Sequence, residues 1–187
     1  MKTFKEHIRE EFEVDERKAG NKEVSVFLGR MQPPHKAHQL IINSMKNPIV
    51  LLVKGKATSE DKKRNPFDEK YQIKLLKKLC PRVEVRIVNT GYLPEIAAEL
   101  RKEGKELVSI HAGEDRIGSY KLQFDRLKLD PAHSFHIKYI QTPDEVRKIV
   151  SATQVRTAIK DGNEEAFKEY MPKPLWGEFE TMKKKLQ

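Results

Sequence analysis

Only one cysteine, Cys80, occurs in 187 residues, which excludes an intrachain disulfide and a zinc site built on cysteines. A reducing compartment fits that absence. Long apolar runs are missing too: no stretch approaches the roughly 18 to 20 apolar residues that a bilayer span requires. The opening, Met1 to Glu11, lacks the apolar run of a secretory signal. Together these absences predict an unexported, cytoplasmic protein with no membrane partner. Internal repeats and low-complexity linkers are also absent. At 37% the apolar content is low but sufficient for a core, and the 35% of charged residues mix both signs instead of forming tails, so disorder is not expected. The length suits one domain with a sizeable core and is short for two.

Against those absences stands an excess of positive charge. A net charge of +9 draws acidic partners: nucleotide phosphates, nucleic acid or anionic lipid. Charge alone does not choose among them, because Lys-rich runs such as Lys74 to Lys78 and Lys183 to Lys185 also read as solvated helix faces.

The order of apolar runs predicts an α/β fold. Val24 to Leu28 and Ile49 to Val53 are short apolar runs separated by a helical segment, Lys36 to Lys46, the order of a βαβ unit buried on both faces. Further strands are expected at Val83–Val88, Leu107–His111 and Phe135–Ile140, with helices near Phe67–Leu79, Leu93–Glu103 and Ser119–Leu127. The alternation of Phe135, Ile137 and Tyr139 with polar neighbours marks an edge strand, whereas the earlier strands read as central. After Val150 only helices are expected: Ser151–Lys160, Glu164–Tyr170 and Leu175–Lys185. The whole reads as a Rossmann-like, open parallel sheet of five strands with flanking helices and a C-terminal helical segment. Before it, residues 1–22 form an extension in which Phe4, Ile8 and Phe12 recur at helical spacing; residues 23–187 form the domain.

In an open parallel sheet ligands bind beyond the carboxyl ends of the strands. The richest such place follows the first strand and reads Gly29-Arg30-Met31-Gln32-Pro33-Pro34-His35-Lys36-Ala37-His38. Gly29 lets backbone approach a ligand, Arg30 can fork onto phosphate, and the helix that follows offers free N–H groups to an anion. His35 and His38, three apart, share a face and can grip one anionic group together. Paired imidazoles could also bind metal, but no nearby carboxylate or further histidine completes a zinc site; alternatively one histidine caps the helix and the other sits in the core. A second segment, Ser151-Ala152-Thr153-Gln154-Val155-Arg156, has hydroxyls able to cap a helix and a fixed charge one turn on. Alone, it reads equally as a capped surface helix.

The two segments in this order on an α/β frame resemble the nucleotidylyltransferase superfamily, with its H-x-G-H signature and its late S-x-T-x-x-R motif. More closely, the chain resembles archaeal-type nicotinamide mononucleotide adenylyltransferases and nucleotidylyltransferases encoded by large tailed phages. Asn65-Pro66-Phe67 is similar to the N-P-F stretch of the archaeal enzymes, and His111-Ala112-Gly113-Glu114-Asp115-Arg116 to the G-x-D-R loop of the phage group. The resemblance spans roughly Val24 to Lys184. It implies transfer of a nucleoside monophosphate, from ATP, onto a phosphorylated acceptor, with nicotinamide mononucleotide as the acceptor and NAD and pyrophosphate as products.

His35, His38 and Arg156 would be catalytic. Gly29, Arg30, Met31, Gly113, Asp115, Arg116, Ser151 and Thr153 would bind the nucleotide; Lys54, Asn65, Phe67 and Tyr92 would hold the acceptor. Mg²⁺ would arrive with the triphosphate rather than in a protein cage. Ala37 stands where the superfamily usually has glycine, placing a methyl group where family backbone lies close to the nucleotide. The other readings are a cytidylyltransferase acting on a phosphorylated alcohol or sugar, and, outside enzymes, a nucleotide- or nucleic-acid-binding module or a structural phage protein. A homo-oligomer is compatible with the sequence but unmarked in it.

Overall fold

The computed structural model describes residues 22–54, 60–129 and 134–187. The expected amphipathic segment with Phe4, Ile8 and Phe12 lies outside the described residues. Five strands, β1 (Lys22–Gly29), β2 (Pro48–Val53), β3 (Glu84–Val88), β4 (Lys105–Ala112) and β5 (Lys138–Gln141), form one sheet in the order β3-β2-β1-β4-β5. Every neighbouring pair is parallel, as expected when each strand is regained by a crossover. The architecture is Rossmann-like, and the order reverses between β1 and β4, the position where such sheets open a crevice for ligands.

Alternation along the central strands divides the core. Val24, Val26, Ile49, Leu51, Leu107 and Ile110 face helices α3 (Leu93–Lys102) and α4 (Glu114–Asp125). On the other face Phe27, Val50 and Leu52 meet α1 (Lys36–Ser44) and α2 (Glu69–Leu79). The C-terminal elements α6 (Ala152–Lys160), α7 (Glu164–Tyr170), a 3₁₀ turn (Lys173–Glu178) and α8 (Phe179–Lys185) close this face with Val155, Ile159, Phe167 and Met182. Glu178 fastens the ending to α2: it is 3% exposed, accepts from the Tyr71 hydroxyl at 2.9 Å, and pairs with Lys74 at 3.1 Å and with Lys78. A buried carboxylate needs such partners.

Several expectations shift. β3 is an edge strand, not a central one; Ile87 is 46% exposed, and Arg86 is held by Glu84 and Glu103 at the rim. The last strand begins at Lys138 because Phe135 packs between helices, 5.1 Å from the Phe124 ring with the Arg101 guanidinium 4.0 Å over its face. Helix α4 starts at Glu114, five residues earlier than the pattern indicates, with acidic Glu114 and Asp115 in its first turn favoured by the helix dipole. A short helix, α5 (Asp144–Ile149), precedes the S-x-T-x-x-R segment where no element was expected.

Candidate functional site

Helix α1 begins where β1 ends. His35 occupies its N-cap position with extended backbone, and His38 stands three residues on. The rings stack with centroids 3.8 Å apart, and His38 Nδ1 accepts from the His35 backbone N–H at 3.3 Å. Burial pushes the His35 imidazole down to about 4. Burial, then the neighbouring His35, holds His38 well below the usual histidine range. Both rings are therefore neutral near pH 7, and each neutral imidazole has one N–H to donate. His35 is 5% exposed, yet its Nδ1 has no hydrogen-bond partner. Buried polar atoms are almost always partnered, so this nitrogen is available to a group that enters the cavity.

Facing the pair is the start of α6. Ser151 caps it, its Oγ accepting from the Gln154 N–H at 3.3 Å while Gln154 Oε1 accepts from the Ser151 N–H at 2.8 Å, a reciprocal capping box. One turn on, Arg156 donates to the Gln32 carbonyl at 2.6 Å and to Thr153 Oγ1 at 3.2 Å. Burial and the nearby Arg30 charge both disfavour its ionised form. Arginine stays charged regardless, and an anion beside it relieves the strain.

Between the two helix starts lies a cavity of about 660 Å³. His35, His38, Ser151 and Thr153 line it together with Arg30, Arg64, Arg147 and Arg156, and among the described residues no carboxylate does. Four guanidinium groups, two hydroxyls and two helix N-termini make this a site for a polyanion.

The loop carrying Arg30 is braced from three sides. Gln32, 5% exposed, donates through Nε2 to the Phe67 carbonyl at 2.8 Å and accepts the Phe67 N–H at 3.0 Å. Gln72 of α2 donates to the carbonyls of Arg30 and Met31, and Arg156 holds the third point. Met31 takes a left-handed backbone, φ 49°, and is 1% exposed. A Cβ on Gly29 would fall 2.7 Å from Met31 Cε, so the glycine makes room for this turn.

Two further cavities share Arg30 with the first. One, about 380 Å³, is lined by Lys54, Lys62, Asn65 and Phe67; Lys54 there pairs with Glu69 at 2.6 Å, and buried Asn65 Oδ1 has no partner. The other, about 460 Å³, is lined by Gly29, Gly91, Arg116, Tyr120 and Gln123. Gly113 precedes α4, and Asp115 lies 3.6 Å from both Arg116 and Arg147, joining the G-x-D-R segment to the rim of the first cavity.

Tyr92 stands apart: it packs with Ala98, Leu127 and Phe135 and lines none of these cavities. Ala37 also departs from expectation. The residue is 4% exposed within the core and is not among those lining the cavity, so it does not occupy ligand space here.

No family model and no curated protein matches the sequence. Solved structures do. Plasmodium falciparum nicotinic acid mononucleotide adenylyltransferase complexed with NaAD aligns with a TM-score of 0.56 at 12% identity, over 86% of this chain and 95% of that one. The same enzyme complexed with APC aligns at 0.52 with the same identity and coverage. The chain has their fold. At that identity the likeness is one of architecture, and the chemistry rests on the residues above. Arg64, Arg147, Gln32 and Gln72 carry no motif signal of their own; only the buried position of two glutamines, a fact of the fold, marks the latter pair.

Proposed function

We propose that this protein is a nucleotidylyltransferase that moves AMP from ATP onto a phosphorylated acceptor, with nicotinamide mononucleotide as the first candidate and NAD and pyrophosphate as products. One observation carries the reading: a cavity lined by no carboxylate among the described residues holds two neutral histidines, one of them buried with an unpartnered nitrogen, opposite a capped helix start and four arginines. The enzymes that share the fold act on a pyridine mononucleotide by name, which supports the acceptor class.

In this mechanism the triphosphate lies across the cavity. His35 and His38 donate to the oxygens of the α-phosphate and the bridging position, while Arg156, Thr153 and the N-terminus of α6 hold the β and γ phosphates. An oxygen of the acceptor phosphate attacks the α-phosphorus in line, the bond to the α,β-bridging oxygen breaks, and pyrophosphate leaves with its magnesium. The magnesium enters as part of the substrate, held by phosphates and water, since among the described residues no acidic side chain lines the cavity. No covalent enzyme intermediate is needed; positioning and charge neutralisation supply the rate. Arg30, common to all three cavities, neutralises whichever phosphate lies at their junction. The acceptor occupies the pocket of Lys54, Asn65 and Phe67, and Arg116 with the Gly113–Asp115 loop flanks the nucleoside.

The acceptor pocket sets Arg30, Lys54 and Lys62 against Asp68 and Glu69 beside Asn65, a net positive balance that suits a carboxylate as well as an amide, so nicotinic acid mononucleotide is the second acceptor. Pyrophosphate release with MgATP or MgCTP and each mononucleotide tests the proposal. Release with ATP and either acceptor supports it; release only with CTP and a phosphorylated alcohol replaces the substrate pair, and no release with any pair defeats the enzymatic reading.

A further inference from the structure

The phosphate cavity does not end at Arg156. A second space of about 480 Å³ continues past it and shares Arg64, Thr153 and Arg156 with the first. Beyond that shared wall it is lined by Lys63, Thr157, Lys160 and Asp61. Thr153, Arg156, Thr157 and Lys160 recur at i, i+3, i+4 and i+7, so they form one face of α6 and extend about 10 Å along it.

The charge of this groove is one-sided. Four cations, Lys63, Arg64, Arg156 and Lys160, face one carboxylate, Asp61. That carboxylate is already engaged by Arg64, through the backbone N–H at 3.0 Å and Nε at 3.6 Å. Among the described residues neither Lys63 nor Lys160 has an ion-pair partner. Hydroxyls of Thr153 and Thr157 alternate with the cations, as suits an extended anion with oxygens along its length. Among the described residues no aromatic side chain lines the groove, so these offer nothing on which nucleic-acid bases would stack.

We propose that this groove is a subsite for a polyphosphate chain, holding the phosphates that lie beyond the third one counted from the nucleoside. The inference rests on placing the triphosphate in the adjoining cavity with its far end at Arg156. Nucleoside 5′-tetraphosphates and inorganic polyphosphates share the required chemistry. A chain that enters both spaces gains charge-assisted hydrogen bonds from Lys63, Lys160 and Thr157 that a pyrophosphate confined to the first cavity does not reach.

The test is calorimetric titration of the whole protein with inorganic tetraphosphate and with pyrophosphate at one ionic strength, without nucleotide, so that binding is read independently of turnover. The expected result is tetraphosphate binding at least about 10-fold tighter than pyrophosphate. Replacing Lys63→Ala and Lys160→Ala together removes that preference while leaving pyrophosphate affinity within about twofold. The control pair Lys70→Ala and Lys184→Ala, the same charge change on exposed positions outside the groove, keeps the preference. Equal loss in the two double variants would reduce the effect to net charge and overturn the proposal, as would an unchanged preference in the groove variant. A single-stranded oligonucleotide that displaces tetraphosphate with the same dependence on Lys63 and Lys160 would assign the groove to a phosphodiester backbone instead. Tetraphosphate binding with the expected dependence in a protein that releases no pyrophosphate would support the groove and sink the enzymatic reading, so the two fail separately.

Discussion

At the scale of residues, the histidine pair carries the proposed chemistry and leaves a thermodynamic trace. In the proposed mechanism His38→Ala removes an N–H donor from the reacting phosphate, and the expected loss is about 100 to 1000-fold in turnover. Stability should fall only modestly, by about 1 kcal/mol, for the lost bond from the His35 N–H; activity and melting temperature of one preparation check both. His35 is readable by pH. Its folded value lies near 4 against an ordinary 6.5, so the unfolded chain binds the extra proton between those values. Stability contributed by the neutral ring is complete above pH 6.5 and declines as pH falls toward 4, at a slope of roughly 1.4 kcal/mol per pH unit. Urea unfolding at a series of pH values should show His35→Gln with a flatter decline than the parent. A parallel slope would mean that His35 is not buried as described.

At the scale of elements, the loop after β1 works because other elements hold it. Gln72→Ala leaves the carbonyls of Arg30 and Met31 without their donor, and the expected cost is about 1 to 3 kcal/mol in urea unfolding, with weaker nucleotide binding as Arg30 loses its fixed position. The elements were legible in unequal measure. Buried strands β1, β2 and β4 show as apolar runs because both faces are covered, and helix α6 shows through its Ser151 cap. β3 hides its edge position because Val85 and Val88 remain apolar while the rim is sealed by Arg86 with Glu84 and Glu103. β5 is misplaced in sequence because Phe135 and Ile137 alternate like a strand but pack against helices. Of the site, the residues on helix starts could be read from spacing, since capping and phosphate chemistry are local. Arg64 and Gln72 could not, because they meet the site through chain separated by dozens of residues, and Gln32 and Arg147, though close to the two motifs in sequence, belong to no capping or periodic pattern that would mark them. Tyr92 follows β3 as an acceptor residue would, yet its side chain takes part in a small apolar cluster instead.

At the scale of the whole molecule, the +9 charge and the arginine-lined cavity act in the same direction. Triphosphate association should slow and weaken as salt rises, because long-range attraction is screened within about 10 Å at 0.1 M. Stopped-flow binding from 50 to 500 mM salt checks this, and a flat response would show that the field of the protein plays no part.

Bracing by Arg156 also carries a temporal consequence. The last strand of the sheet is complete at Gln141, but the guanidinium that fixes the Gln32 carbonyl, and the helices that close that face of the sheet, come from the final quarter of the chain. A polypeptide emerging from the ribosome can therefore pair all its strands before it owns the proposed phosphate site. On that reading, competence to bind nucleotide is acquired at the end of synthesis, when the last helices dock, and a chain stalled before Ser151 would be a sheet without a ligand.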